Sequence, residues 1–292
     1  MDSHASFHFA RNDRIIFYLY FCLCEKIVYP CFFINMYYML PIFLTLCIVL
    51  FFWMTSWYCV ALFFRRTDIV DMVWWLSYGI IAFMFFLFFS PSSIALLPLV
   101  FVMIWSLRLV YHIILRLMRH GEDSRYAAFR TSWWKYFFVK SYFFIFLLQW
   151  FFIAIISLPF LFLFTKNISL SPQFIVGSIL WIIWFLCEFF ADKQMAEFRR
   201  NPKNKWKIIQ SWLWKYSRHP NYFWELLMWW SLYLMSIQNI ESMIWILSPI
   251  LLSYLIIYVT WIPLLEEHLK GREWYSEYIR RTSILIPFPP KK

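Results

Sequence analysis

The stretch Leu213–Trp230, LWKYSRHPNYFWELLMWW, sets Tyr216, Arg218, His219, Asn221 and Glu225 against the start of an apolar run. Hydrocarbon does not accept such groups without a reason. Pro220 suits the first turn of a helix, where its missing N–H costs nothing. A helix beginning there puts Asn221 and Glu225 four residues apart on one face, with the basic pair Arg218 and His219 just outside the membrane end. That is the geometry of a polar ligand held at a membrane mouth. Glu225, beneath the mouth, is the residue that most invites a functional reading, since intramembrane acids are seldom idle.

Working outward, aliphatic, aromatic and cysteine residues make up 63% of the 292 residues and charged residues only 15%. This is too apolar for a soluble domain of that size, and the chain reads as an all-α, polytopic bundle in the cell membrane. The net charge of +11 does not imply nucleic acid, because the basic residues sit between hydrophobic runs rather than along one soluble face. The expected partners are the bilayer and an apolar lipid. Cys22, Cys24, Cys31, Cys47, Cys59 and Cys187 lie in or near apolar segments without paired ligand spacing, and they read as packed free thiols. His112 and His120 read as ordinary polar positions, and no metal site is expected.

Windows of about 20 apolar residues mark seven spans, near 38–63, 69–90, 94–115, 137–164, 172–191, 221–237 and 243–265. The alternate segments 64–68, 116–140, 192–220 and 266–292 carry 2, 6, 8 and 6 Lys and Arg, against 0, 1 and 0 in 91–93, 165–171 and 238–242. That positive-inside bias puts the N-terminus outside and the long polar loops and C-terminus in the cytoplasm. Residues 1–35 form a less convincing extension. Ile15–Phe33 is apolar but interrupted by Glu25 and Lys26, and Met36 and Met39 stand just before the first clean span as alternative starts.

Arg108 lies deep in the third span, with Trp105 three residues before it and His112 four after. A charge at that depth requires an acid partner or a ligand, and Asp71 is the expected partner. RHGEDSRY, from Arg119 to Tyr126, either caps membrane helices or lets Arg119 and Arg125 reach an anionic ligand. Glu188, Asp192 and Arg199, spaced by four and seven, share one helical face and are followed by Arg200, Lys203 and Lys205. Carboxylates accept from sugar hydroxyls and the basic groups meet phosphate, so the stripe suits a ribose-and-phosphate ligand. The competing view is an amphipathic surface for lipid head groups. The last span ends in Glu266 and Glu267, with Tyr275 and Tyr278 following on an interfacial helix.

With these residues laid out, the chain from about Arg65 to Pro287 resembles the bacterial membrane proteins related to the C-terminal domain of steroid 5-alpha-reductase. The resemblance rests on VDxxW at Val70, Asp71 and Trp74, LRL before a GED-x-RY turn, and E-x3-D-x-Q at Glu188, Asp192 and Gln194. LW-x-YSRHPNYF-x-E and PLLE complete it. It implies a seven-helix intramembrane reductase over residues 36–292, with its cofactor-binding half at 172–292, that uses NADPH to saturate a conjugated carbon–carbon bond in a steroid-like or other lipid. Asp192, Arg199, Asn221 and Glu225 match cofactor-binding places, with Tyr216, Arg218 and His219 in the same motif. Glu188, Lys203, Glu267, Tyr275 and Arg125 complete the expected cofactor set. Trp105 falls where relatives have a substrate-side tyrosine and Asp71 roughly where they have an acid; with Arg108 and Glu225 they form the expected catalytic group.

RHP-x-Y, a Glu–Glu pair and tyrosines after the last span also look like the isoprenylcysteine carboxyl methyltransferases and phospholipid methyltransferases, which use S-adenosylmethionine. The phosphate-seeking stripe favours the reductase, because S-adenosylmethionine has no phosphate to neutralise. A non-enzymatic lipid-binding scaffold is the third reading. One departure stands out: Trp75, Trp184, Trp206, Trp212, Trp224 and Trp261 fall where the family pattern has glycine, and the chain has 4 Gly beside 19 Trp. Glycine serves close backbone approach. These positions read as codons that the organism decodes as glycine, and peptide masses that found indole there would end the idea.

Overall fold

The computed structural model describes residues 29–89, 91–119, 121–165, 168–204, 207–269 and 273–291. The doubtful extension falls largely outside them, as do Cys22, Cys24, His120, Lys205 and Trp206. The chain divides into two compact units, Met1–Val49 and Leu50–Lys292. The first is described from Tyr29, where helix α1 (Tyr29–Phe64) begins. Cys59 and Cys187 are free thiols.

In the second unit the chain continues through α2 (Ile69–Phe89), α3 (Leu96–Arg119), α4 (Ser124–Trp133), α5 (Phe137–Ser141), α6 (Leu148–Ile156) and α7 (Leu158–Thr165). It then runs through α8 (Pro172–Arg200), α9 (Leu213–Tyr216), α10 (Pro220–Ser236), α11 (Leu247–Tyr254), α12 (Trp261–Leu269) and α13 (Glu273–Arg281). The protein is an all-α membrane bundle. Among the described residues 6 helical runs are long and apolar enough to cross a membrane. The span expected at 221–237 is present as α10 and starts at Pro220, with its 17 residues at the short end of what crossing takes. It is an inner helix, with Glu225, Leu226, Met228, Trp229, Leu232 and Met235 all buried.

Two further expected spans are broken. The run through 137–164 passes a π turn at Tyr142–Leu147 and stops at Ser157, two residues before Pro159, whose missing N–H cannot continue the ladder. The Ser248 hydroxyl bonds the Ile156 carbonyl at 2.5 Å, meeting a group that hydrocarbon would leave unsatisfied. Beyond the stop, α7 turns inward, with Phe160 to Phe164 buried against α2 and α10. The final run passes a π turn at Leu255–Val259 and bends at Thr260, whose N–H and hydroxyl both donate to the Leu255 carbonyl.

Two pairs of helices set the frame. In α2 and α3, a Cβ at Gly79 would meet the Ser106 oxygen at 2.8 Å, and Ser106 Oγ donates to the Trp75 carbonyl at 2.7 Å. The most extensive pairing is α8 with α10. There Gly177 faces the Ser231 carbonyl, which an added Cβ would meet at 2.9 Å. Small residues at such crossings let backbones approach, and the approach brings the polar faces of α8 and α10 together.

Candidate functional site

Arg108, on α3, is the hub of the deepest polar cluster. Its guanidinium donates to Asp192 Oδ2 at 2.9 Å and to Glu188 Oε1, and it lies over the Phe185 ring at 5.4 Å. Glu188 and Asp192 reach it together because they stand one turn apart on α8. The expected pairing of Arg108 with Asp71 is therefore corrected: the bundle places α8 across from Arg108. Which helices face one another is a tertiary fact that spacing along a single helix does not carry. On α10, Asn221 lies within reach of Asp192, and Glu225, one turn on, lies within electrostatic reach of Glu188, Asp192 and Arg108. Glu188 and Glu225 are 2% and 4% exposed, yet Glu188 Oε2 and Glu225 Oε1 have no hydrogen-bond partner among the described residues. Three carboxyls thus face one guanidinium, and two of their oxygens are unspent.

Near Glu225 a group of aromatic side chains packs together. Trp105, expected on the substrate side, packs on Trp75 at 5.1 Å, on Trp229 at 5.6 Å and on Tyr78 at 6.3 Å between ring centroids. Tyr78 also meets Trp229 at 4.9 Å and Trp74 at 5.7 Å, and it lies within electrostatic reach of Glu225. Trp74, Tyr78, Trp105 and Trp229 are all buried, and the N–H or O–H of each lacks an acceptor among the described residues. Buried donors are normally satisfied, so a cluster of orphans calls for an explanation such as a ligand or water. Sequence reasoning passed over Tyr78 and Trp229. Tyr78 had a signal available: it lies seven residues after Asp71 and four after Trp74, on the same face of α2.

Asp71 is the centre of a second cluster. It accepts from Arg116 at 2.8 Å, from Arg125 at 3.0 Å and from the Tyr126 hydroxyl at 2.6 Å. Arg125 is further held by Asp123 at 2.9 Å, while Arg119 is exposed. The GED-x-RY turn is knitted to the preceding loop. Glu122 accepts from the Thr67 backbone N–H and hydroxyl and from Arg130, and Asp68 accepts from Arg66 and from the Asp123 N–H. Burial works against ionisation of Glu122, but the bonds from Arg130 and Thr67 outweigh it and hold the carboxyl below its usual range. Burial likewise opposes ionisation of Asp123, and its bond from Arg125 brings it below its usual range.

The third cluster binds the C-terminus. Glu266 accepts from Arg218 at 3.0 and 3.1 Å, pairs with His219 Nε2 at 2.8 Å and faces the Tyr275 hydroxyl. Arg218 also donates to the Ile279 and Thr282 carbonyls at 3.1 and 2.8 Å, and Ser217 Oγ donates to the Leu285 carbonyl. Arg218 is thus spent on holding α13 and the tail that follows it. Tyr216 offers its carbonyl to Phe288 and Ser283, and Glu267 is exposed on α12. Arg199 and Lys203 lie exposed at the end of α8 and in the turn after it, with no ion pair among the described residues. The α8 acids turn inward to Arg108; the α8 bases do not join them.

The tryptophans at glycine-expected positions pair with one another. Trp184 and Trp224 stack at 5.3 Å between α8 and α10, and Trp75 meets Trp261 at 5.1 Å. Trp212 holds a positive φ of 54°.

The sequence profile of one family, described as a protein of unknown function, DUF1295, matches residues 57–282. The chain belongs to this family. No curated protein and no solved structure matches it. The DUF1295 match takes in the Arg108, Asp71 and aromatic clusters whole, together with Arg218, His219, Glu266 and Tyr275 of the third.

Proposed function

We propose that this DUF1295 protein is an integral-membrane reductase that uses NADPH to saturate a conjugated carbon–carbon double bond in a steroid-like or other lipid. The observation that carries the reading is the meeting of Glu188, Asp192, Asn221 and Glu225 in the core of the bundle, with two buried carboxyl oxygens left unspent. Those oxygens suit the hydroxyls of a ribose, which donate. Arg199 and Lys203, further along the same polypeptide, suit its phosphates.

Bound there, NADPH would supply the hydride for the β-carbon of an enone, and the proton that the α-carbon takes up would come from an O–H donor such as Tyr78. As the β-carbon is attacked, negative charge grows on the carbonyl oxygen, and the unspent O–H and N–H groups of Tyr78, Trp74, Trp105 and Trp229 are the donors suited to it. Arg108 fixes the orientation of Glu188 and Asp192, so Asp192 in turn orients Asn221. The packed aromatic rings keep water from the reacting atoms, which strengthens each polar contact. On the Lys and Arg bias the basic mouth faces the cytoplasm, where the nucleotide is, and the lipid enters from the cell membrane.

The meeting of Arg218, His219, Glu266 and Tyr275 favours the second reading, an S-adenosylmethionine-dependent methyltransferase. That ligand would leave the bases after α8 without a role. Thermal unfolding of the purified chain in detergent separates the two readings: NADPH is expected to raise the midpoint, whereas stabilisation by S-adenosylmethionine alone would overturn the reductase.

A further inference from the structure

A cavity of about 300 Å³ opens where the end of α1 meets α4 and α5, away from the Arg108 and Glu266 clusters and bordering the second through Thr67 and Arg130, which both hold Glu122. Ala61, Leu62, Phe137 and Phe138 give it an apolar floor, and Arg65 and Arg130 supply its charge. Arg130 is fixed in place. Its guanidinium lies over the Phe137 ring at 4.3 Å and donates to Glu122 at 2.9 and 3.1 Å and to the Arg65 carbonyl at 3.2 Å. Its Nη1 has no partner among these contacts. Arg65 is exposed, with no side-chain bond or ion pair among the described residues, and its φ of 52° is unusual for a residue bearing a Cβ. Strain of that kind persists where surrounding structure maintains it, and it collects at ligand sites. Phe63, Phe64, Phe138 and Val139 around the opening are largely exposed, as side chains that face lipid are.

We propose that this cavity binds the phosphate-bearing head of an anionic membrane lipid, with Arg65 and Arg130 on the phosphate and the acyl chains running out over Phe138. Planar guanidinium forks match phosphate oxygens. The apolar floor and its exposed rim distinguish a lipid from free phosphate, which would gain nothing from them. Charge balance points the same way: Glu122 offsets Arg130, so Arg65 is the cation that an incoming anion would meet.

The test is thermal unfolding of the full chain in detergent with added phosphatidylglycerol, phosphatidylcholine or inorganic phosphate. Phosphatidylglycerol is expected to raise the midpoint and the other two to leave it unchanged. Arg65→Gln should weaken the apparent affinity for phosphatidylglycerol about fivefold, as expected for one basic group at an anionic lipid surface. Lys207→Gln, the same change of charge at a residue that does not line the cavity, should change it less than about twofold. Arg65→Gly relieves the positive φ, so its lipid-free midpoint should hold or rise while the response to phosphatidylglycerol falls, which separates lost binding from misfolding. Equal losses in the Arg65 and Lys207 variants, the same response to phosphatidylcholine, or full stabilisation by inorganic phosphate would each overturn the proposal.

Discussion

Trp134 and Trp212 hold φ/ψ of 44°/−124° and 54°/−128°, a region in which a Cβ is crowded and glycine is at ease. Their indoles are 76% and 77% exposed, so little packing offsets that strain. Trp134→Gly and Trp212→Gly should therefore each stabilise the protein by about 1 kcal/mol, the strain relieved less the added freedom of the unfolded chain. Melting in detergent checks this, and a lowered midpoint would contradict it. Trp212 was among the positions where glycine was expected; Trp134 was not, and only its backbone reveals it. Glu225 makes the opposite case. Glu225→Gln keeps the volume and removes the strongest acceptor, so NADPH should bind about tenfold more weakly while the bundle melts as before. Unchanged affinity would remove Glu225 from the site. That Glu188 shares a face with Asp192, and Asn221 with Glu225, was legible from helical spacing, whereas the meeting of the two faces was only what the resemblance implied. The role of Tyr78 was not, because a single tyrosine in an apolar run has no distinguishing mark until its neighbours fail to offer it a partner.

Between helices, close approach replaces spacing as the deciding fact. A Cβ at Gly177 would meet Met235 Cγ at 2.7 Å and the Ser231 carbonyl at 2.9 Å. The first contact can swing away, but the second is backbone. Gly177→Ala should push α8 from α10 and cost about 1–3 kcal/mol, and because the same two helices carry Asp192 and Asn221, nucleotide response should fall with it. A variant as stable and as responsive as the parent would show that the two helices tolerate separation. The turn between α3 and α4 gives a pH signature. Glu122 and Asp123 are held below their usual ranges in the folded chain, so the stability they contribute is complete above the unfolded carboxyl values near about pH 4. It is lost as pH falls through the lower folded values. The melting midpoint should drop over that acid window, and a Glu122→Gln, Asp123→Asn double variant should show a shallower drop; an identical pH profile would assign the loss to other groups. Hydropathy windows located most of the helices but could not see the stops at Ser157 and Thr260. An apolar average is blind to a proline that breaks a ladder and to the hydroxyl that repairs it.

Taken whole, the bundle separates its labours. The Asp71 and Glu122 contacts fasten the α3–α4 turn, the Glu266 contacts fasten the tail after α13, and among the described residues the Arg108 cluster and the aromatic side chains beside it gather several buried polar atoms without partners. The all-α membrane fold was legible from composition and span length. The assignment of Arg218 and His219 to fastening was not, because the same motif would serve a ligand equally well until Glu266 and the tail are seen against it. The most direct measurement is transfer of deuterium from the reactive face of C4-deuterated NADPH into lipids, in membranes containing the protein. An intramembrane reductase predicts deuterium on a newly saturated carbon of a lipid product with the parent chain and its loss with Glu225→Gln. No label from a folded, nucleotide-exposed protein, or equal label from both chains, would contradict it.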